Sequence, residues 1–304
     1  MPNDENRAGP SAGRYDFSRT ALYHPERRPV FVGLDAELAF EAENAGFSLP
    51  NAWWLANASH LAYYDGDKLS AQLQPAGLRL IDSFDQDGTQ AYLAGNTAFA
   101  ILAFRGTEID EFKDTLTNIN LPLVSFQGTG KVHKGFLHAL DRIWDRVEPR
   151  LRELTRAETP VWYTGHSLGA ALAVLAAARI PPAALFTFGS PRIGNGDFAA
   201  GLNTIPHFRF VNSNDIVPTL PPGMLGYAHT GLHLFLSANG KLTRNPGGGR
   251  VLLAKIVAAV LYALRLPYFR PGMVKLRALA DHTILNYTAG VRRNIATKKK
   301  TSAN

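Results

Sequence analysis

The chain has 304 residues, 46% of them hydrophobic and 19% charged, enough to bury a full core without help from disulfides, metals or repeats. It contains no cysteine, which excludes a disulfide framework, thiol catalysis and any Cys-ligated metal site. A net charge of +7 admits nucleic acid, an anionic membrane or neither as a partner, and since no nucleic-acid recognition motif is visible, no such partner is expected.

Residues 1–30 carry Pro2, Pro10, Pro25, Pro29, Gly9 and Gly13 among polar residues and read as an extended leader, with a globular domain expected over 31–290. The first residues are acidic and polar, unlike a secretory signal, and no apolar run is long enough to span a bilayer. The expected location is therefore the cytoplasm or the surface of a membrane.

Asn51 to Tyr64 has an Asn cap and apolar residues at helical spacing. Gln90 to Leu93 and Thr97 to Phe104 are short, β-rich and separated by Gly95-Asn96, a hairpin signal. Glu108 to Ile119 sets Ile109, Phe112, Leu116 and Ile119 on one helical stripe with acids opposite. A helix is expected over Asp141 to Leu154, a buried strand over Pro160 to Thr164, and an Ala/Leu-rich helix over Ser167 to Arg179, stopped by Pro181-Pro182. Strand Ala184 to Phe188, helix Gly196 to Leu202 and strand His207 to Asn212 follow, and Tyr227 to Leu236 alternates like a strand. Strands alternating with helices after residue 130 imply parallel crossovers. The expected fold class is α/β, a central, mostly parallel sheet with helices on both faces.

The segment Gly249 to Leu266 is apolar nearly all round and, as a helix, about 27 Å long, too short to cross a bilayer comfortably. It fits a buried core helix or an interfacial one, the latter suggested by Arg250, Arg265 and Arg270 with Tyr262, Tyr268 and Phe269. Residues 291–304 read as a solvated basic tail.

Gly-x-Ser-x-Gly by itself is a weak signal, but here the strand VWYT runs directly into Gly165-His166-Ser167-Leu168-Gly169 and then into an alanine-rich helix. That strand, sharp turn and helix is what a nucleophile elbow requires, with glycines allowing the close approach and the helix N-terminus offering free N–H groups. A serine nucleophile needs a histidine base and an acid to orient it, in the chain order serine, acid, histidine. Asp215 follows the carboxyl end of the strand HFRFVN, where sheet enzymes place functional loops. His229, His233 and His282 all lie downstream, and spacing leaves the choice among them open.

Seven segments resemble the class 3 lipases, whose familiar members are fungal triacylglycerol lipases, and they occur in the family's order over residues 60–290. They are Ala-Phe-Arg105-Gly106-Thr107, Val-His133-Lys-Gly135-Phe, Tyr-Thr-Gly-His-Ser167-Leu-Gly-Ala-Ala-Leu-Ala, Thr-Phe-Gly189-Ser-Pro191-Arg-Ile-Gly-Asn, Val-Asn-Ser-Asn-Asp215-Ile-Val-Pro, Tyr227-Ala-His229 and Asp281-His282. The resemblance implies the α/β-hydrolase fold and a triad of Ser167, Asp215 and His282, with His229 at a structural position. It implies an oxyanion hole from Thr107 and the N–H of Leu168, and a candidate lid carrying Ile109, Phe112 and Leu116. The expected activity is that of a serine hydrolase acting on carboxylic esters, a lipase cleaving acylglycerols through an acyl-enzyme. A phospholipase A1, a short-chain esterase and an inactive lipid-binding scaffold are the alternatives. No metal or cofactor is implied. The expected partners are a lipid or ester substrate and, through peripheral contact, a lipid surface. Secreted fungal members carry disulfides and a signal, and this chain shows neither.

Overall fold

A computed structural model of the chain describes residues 13–35, 38–107, 122–128 and 130–302. Its centre is an eight-stranded sheet in the order β1 (Arg79–Gln86), β2 (Thr89–Gly95), β3 (Ala100–Phe104), β6 (Val161–His166), β7 (Ala184–Phe188), β8 (His207–Asn212), β9 (Leu232–Leu236) and β10 (Leu242–Arg244). A separate two-stranded ribbon pairs β4 (Leu123–Ser125) with β5 (Lys131–His133). The strands from β3 to β9 run parallel, and antiparallel hairpins close both edges.

The hairpin expected at Gly95-Asn96 forms, but β3 starts at Ala100 because the Asn96 side chain accepts the N–H groups of Ala98 and Phe99 and holds a turn there. β1 is an edge strand whose Arg79, Asp82 and Asp85 are not buried, so no apolar alternation announces it.

Nine helices are described: α1 (Arg19–Tyr23), α2 (Leu49–Leu61), α3 (Gly66–Leu73), α4 (Lys134–Arg156), α5 (Leu168–Arg179), α6 (Gly196–Gly201), α7 (Gly248–Ala263), α8 (Arg277–Ala280) and α9 (Ile284–Ser302). The α2 and α9 layer covers one sheet face around Trp53, Trp162 and Tyr287. α4 and α5 cover the other around Leu140, Tyr163 and Ala173. Consecutive residues Trp162 and Tyr163 of β6 thus serve opposite cores, the signature of a strand buried on both faces.

Residues 13–30, expected as an extended leader, instead pack on the body. Ser18 caps α1 by accepting the Ala21 N–H, and Ala21, Leu22 and Pro25 are buried. Arg293 of α9 donates to the Gly13 carbonyl and lies over the Tyr15 ring. Partners far along the chain hold the segment there: Thr283 donates to the Ala21 carbonyl, and the Asn286 side-chain oxygen accepts the Asp16 N–H. The expected basic tail likewise begins inside α9, where Val291 and Ile295 are buried, an apolar stripe masked by the surrounding Arg and Lys.

α7 forms where a helix was expected, but it is no core helix. Only Ala258 and Tyr262 are buried, and the rest of its apolar surface faces outward. Among the described residues, no helix is long and apolar enough to cross a membrane.

Candidate active site

β6 delivers Ser167 into a turn with φ 58° and ψ −127°, a conformation that side-chain-bearing residues seldom adopt. Glycine makes the turn possible. A Cβ on Gly165 would meet the Gly169 carbonyl at 2.3 Å, and one on Gly169 would meet the Phe104 carbonyl at 2.2 Å. Ser167 occupies the N-cap of α5, yet its hydroxyl makes no capping hydrogen bond.

That hydroxyl lies 2.9 Å from His282 Nε2. His282 Nδ1 in turn lies 3.0 and 2.9 Å from the two Asp215 oxygens. A carboxylate can only accept, so Nδ1 carries the proton and the Nε2 lone pair faces the serine. All three side chains are buried. Asp215 also accepts the Val217 N–H at 2.9 Å and the Tyr287 hydroxyl at 2.5 Å, so four hydrogen-bond contacts hold one carboxylate. Burial, then the neighbouring Asp215 charge, pushes the Tyr287 hydroxyl well above its ordinary pKa and keeps it a donor.

Asp281 joins the acid loop to the base. Its carboxylate accepts the Asn214 N–H at 3.0 Å and pairs with Arg277 at 2.6 Å, while its carbonyl accepts from the Asn212 amide at 2.8 Å. Burial raises the Asp281 pKa, and Arg277 opposes that shift. Behind the nucleophile, His166 Nε2 donates to the His282 carbonyl at 2.6 Å and its Nδ1 accepts from Tyr63 at 2.9 Å. Burial, then the nearby His282, depresses its pKa well below the usual histidine value, so it braces the site as a neutral ring.

The other two candidate histidines stand apart from this chain of bonds. His229 Nε2 lies 2.8 Å from the Pro218 carbonyl, and burial depresses its pKa to about 2. His233 is half-buried in β9, with its N–H bonded to Asn245. Leu168 opens α5, so its N–H is one of the first-turn donors without an intrahelical acceptor. Thr107 lines a small pocket with Tyr63, His166 and His282. Ala21, Leu22, Tyr23 and Pro25 form its opposite wall, and it has room for about one water molecule, about 20 Å³. Thr283 ties that wall down through a 2.8 Å hydrogen bond to the Ala21 carbonyl. Ile109, Phe112 and Leu116 lie outside the described residues.

Tyr63, Tyr287 and the bracing role of Asp281 carry no signal in the sequence, because each acts across a tertiary contact. Gly189 does carry one in retrospect. Its φ is +62°, and a Cβ there would press on Asp215 Oδ2 at 2.9 Å and His282 at 3.1 Å.

A mostly parallel sheet with helices on both faces, an elbow serine and a serine–histidine–carboxylate chain define an α/β-hydrolase. The lipase (class 3) family model matches residues 101–224 of this chain. The chain is 34% identical to a lipase of Rhizopus niveus over 152 residues, 45% of this chain and 38% of that protein. It is 42% identical to a phospholipase A1 of Oryza sativa over 111 residues, 33% of this chain and 26% of that one. The alignments thus span less than half the length of either relative. The solved structure of lipase II from Rhizopus niveus shares 29% identity with a TM-score of 0.52, covering 61% of this chain and 77% of that one.

Proposed function

We propose that the protein is a serine hydrolase that cleaves carboxylic esters of lipids, working at a lipid surface. The observation that carries this reading is the unbroken line of hydrogen bonds from Ser167 through His282 to Asp215. Ser167 Oγ attacks the ester carbonyl carbon while His282 Nε2 takes its proton, and Asp215 stabilises the imidazolium and holds its tautomer. The N–H of Leu168 and the turn at Thr107 receive the oxyanion. Collapse of the tetrahedral adduct expels the alcohol, which takes the proton from His282, and leaves an acyl-serine. Water, activated by the same histidine, releases the acid. Two relatives frame the substrate class, a lipase and a phospholipase A1.

Labelling by a fluorophosphonate, lost in Ser167→Ala, tests the nucleophile, and turnover of long-chain triacylglycerol, phosphatidylcholine and soluble p-nitrophenyl esters then ranks the substrates. Ser167→Ala should lower kcat by more than about a thousandfold with an unchanged fold. Unimpaired labelling of the alanine variant would refute the assignment, and dominant turnover of phosphatidylcholine would assign phospholipase activity.

A further inference from the structure

The outward face of α7 is out of place on a soluble chain. Leu252, Leu253, Ile256, Val257, Val260 and Leu261 are all exposed, although together they would make a respectable core. Leu264, at 66% exposure, and Tyr268, at 85%, extend the same surface. Single exposed apolar residues are ordinary, but a whole helical face of them marks a surface with an occupant.

Charge identifies the kind of occupant. From Ile216 to Ala280 the chain has no acidic residue and eight lysines or arginines. Arg250 stands at the start of α7, and Arg265, Arg270 and Lys275 follow its end, all exposed and none with an ion-pair partner among the described residues. An apolar strip with cations at both ends suits an anionic bilayer, whose headgroups meet the arginines while its acyl region takes the leucines. A second copy of this chain is the poorer fit, since stacking two such faces would bring like charges together. At 16 residues, about 24 Å, α7 is of a length to lie in the interface plane. Tyr268, apolar in body and polar at its tip, suits headgroup depth.

The face also borders the site. A groove of about 550 Å³ separates α7 from the loop carrying Asp215, with Lys255, Ile256 and Leu266 on one side and Ile216 and Leu276 on the other. We infer that α7 is a docking surface for anionic lipid bilayers, which seats the protein with the Asp215 side of the catalytic centre toward the membrane. This rests on the reading of the protein as a lipid hydrolase for its purpose, though not for its physics.

The test is co-sedimentation of Ser167→Ala protein, which does not consume its target, with vesicles of phosphatidylcholine alone or with about a third phosphatidylserine. Binding should be at least about tenfold tighter to the anionic vesicles and fall at least about tenfold as salt rises to about 0.5 M. Leu253→Asp with Leu264→Asp should abolish binding while melting temperature and soluble-ester turnover, measured with Ser167 intact, stay as in the wild type. Equal binding to neutral and anionic vesicles, or undiminished binding by the double variant, would overturn the proposal. A halving of the solution mass by the same double variant would also overturn it, assigning the face to a second copy. Vesicle binding as expected without turnover of any ester would instead overturn the hydrolase reading alone.

Discussion

Choosing one histidine among three turns on what each ring nitrogen faces. His282 faces a carboxylate and a serine hydroxyl, while His229 faces a backbone carbonyl. His282→Ala should therefore match Ser167→Ala in its loss of kcat, whereas His229→Ala should keep most activity and lower the melting temperature instead; the reverse pattern in steady-state kinetics would move the base to His229. Thr107→Val keeps the backbone N–H and removes one donor, so kcat should fall about 10²- to 10³-fold with KM little changed. A valine variant as active as the wild type would make Thr107 a turn residue only. Tyr287 is a positioning residue, since its hydroxyl touches Asp215 and nothing that reacts. Tyr287→Phe should lower kcat more than it raises KM, by a factor of about ten, the worth of one hydrogen bond to a charged group.

At the scale of elements, the site depends on contacts between segments far apart in the chain. α1 and the turn after it wall the pocket beside Ser167, pinned by Thr283 immediately after the base. The same segment belongs to a small satellite core in which Leu22 packs with Tyr262 of α7 and with Val274. Leu22→Ala should widen the pocket and raise turnover of long-chain p-nitrophenyl esters relative to the acetate, while costing about 2 kcal/mol or more of stability. An unchanged chain-length ratio would show that the acyl group enters by another route.

For the molecule as a whole, buried neutral histidines set the response to acid. Burial depresses the pKa of His60 and His133 to about 4 and that of His207 to about 3. In the unfolded chain they take up protons near pH 6.5, so below that value the unfolded state binds more protons and stability falls as pH falls. Each contributes fully above the unfolded value and loses up to about 1.4 kcal/mol per pH unit on the way down to its folded value. The melting temperature should decline steadily from pH 7 toward pH 4. A flat profile by calorimetry over that range would mean that these rings protonate in the folded state.

What the linear chain determined by itself was the alternation of strands and helices after residue 130, the elbow and the acid loop. Each of these is encoded by neighbours: β-rich runs, paired glycines, and a polar loop at the end of an apolar strand. Ala184–Phe188 and His207–Asn212 are strands over the full expected lengths and are buried along their whole length. Spacing left the histidine open among three and the family motif pointed to His282; tertiary structure alone decided that Tyr287 and Asp281 brace Asp215 and its loop, and that Ala21, Leu22, Tyr23 and Pro25 wall the pocket. Those outcomes depend on partners 60 to more than 250 residues away, to which local periodicity is blind. It also decided the fate of α7. A helix apolar all round suits a core as well as it suits a bilayer surface, and only the exposure of its outer face, with Leu252, Leu253, Ile256, Val257, Val260 and Leu261 all exposed, separates the two.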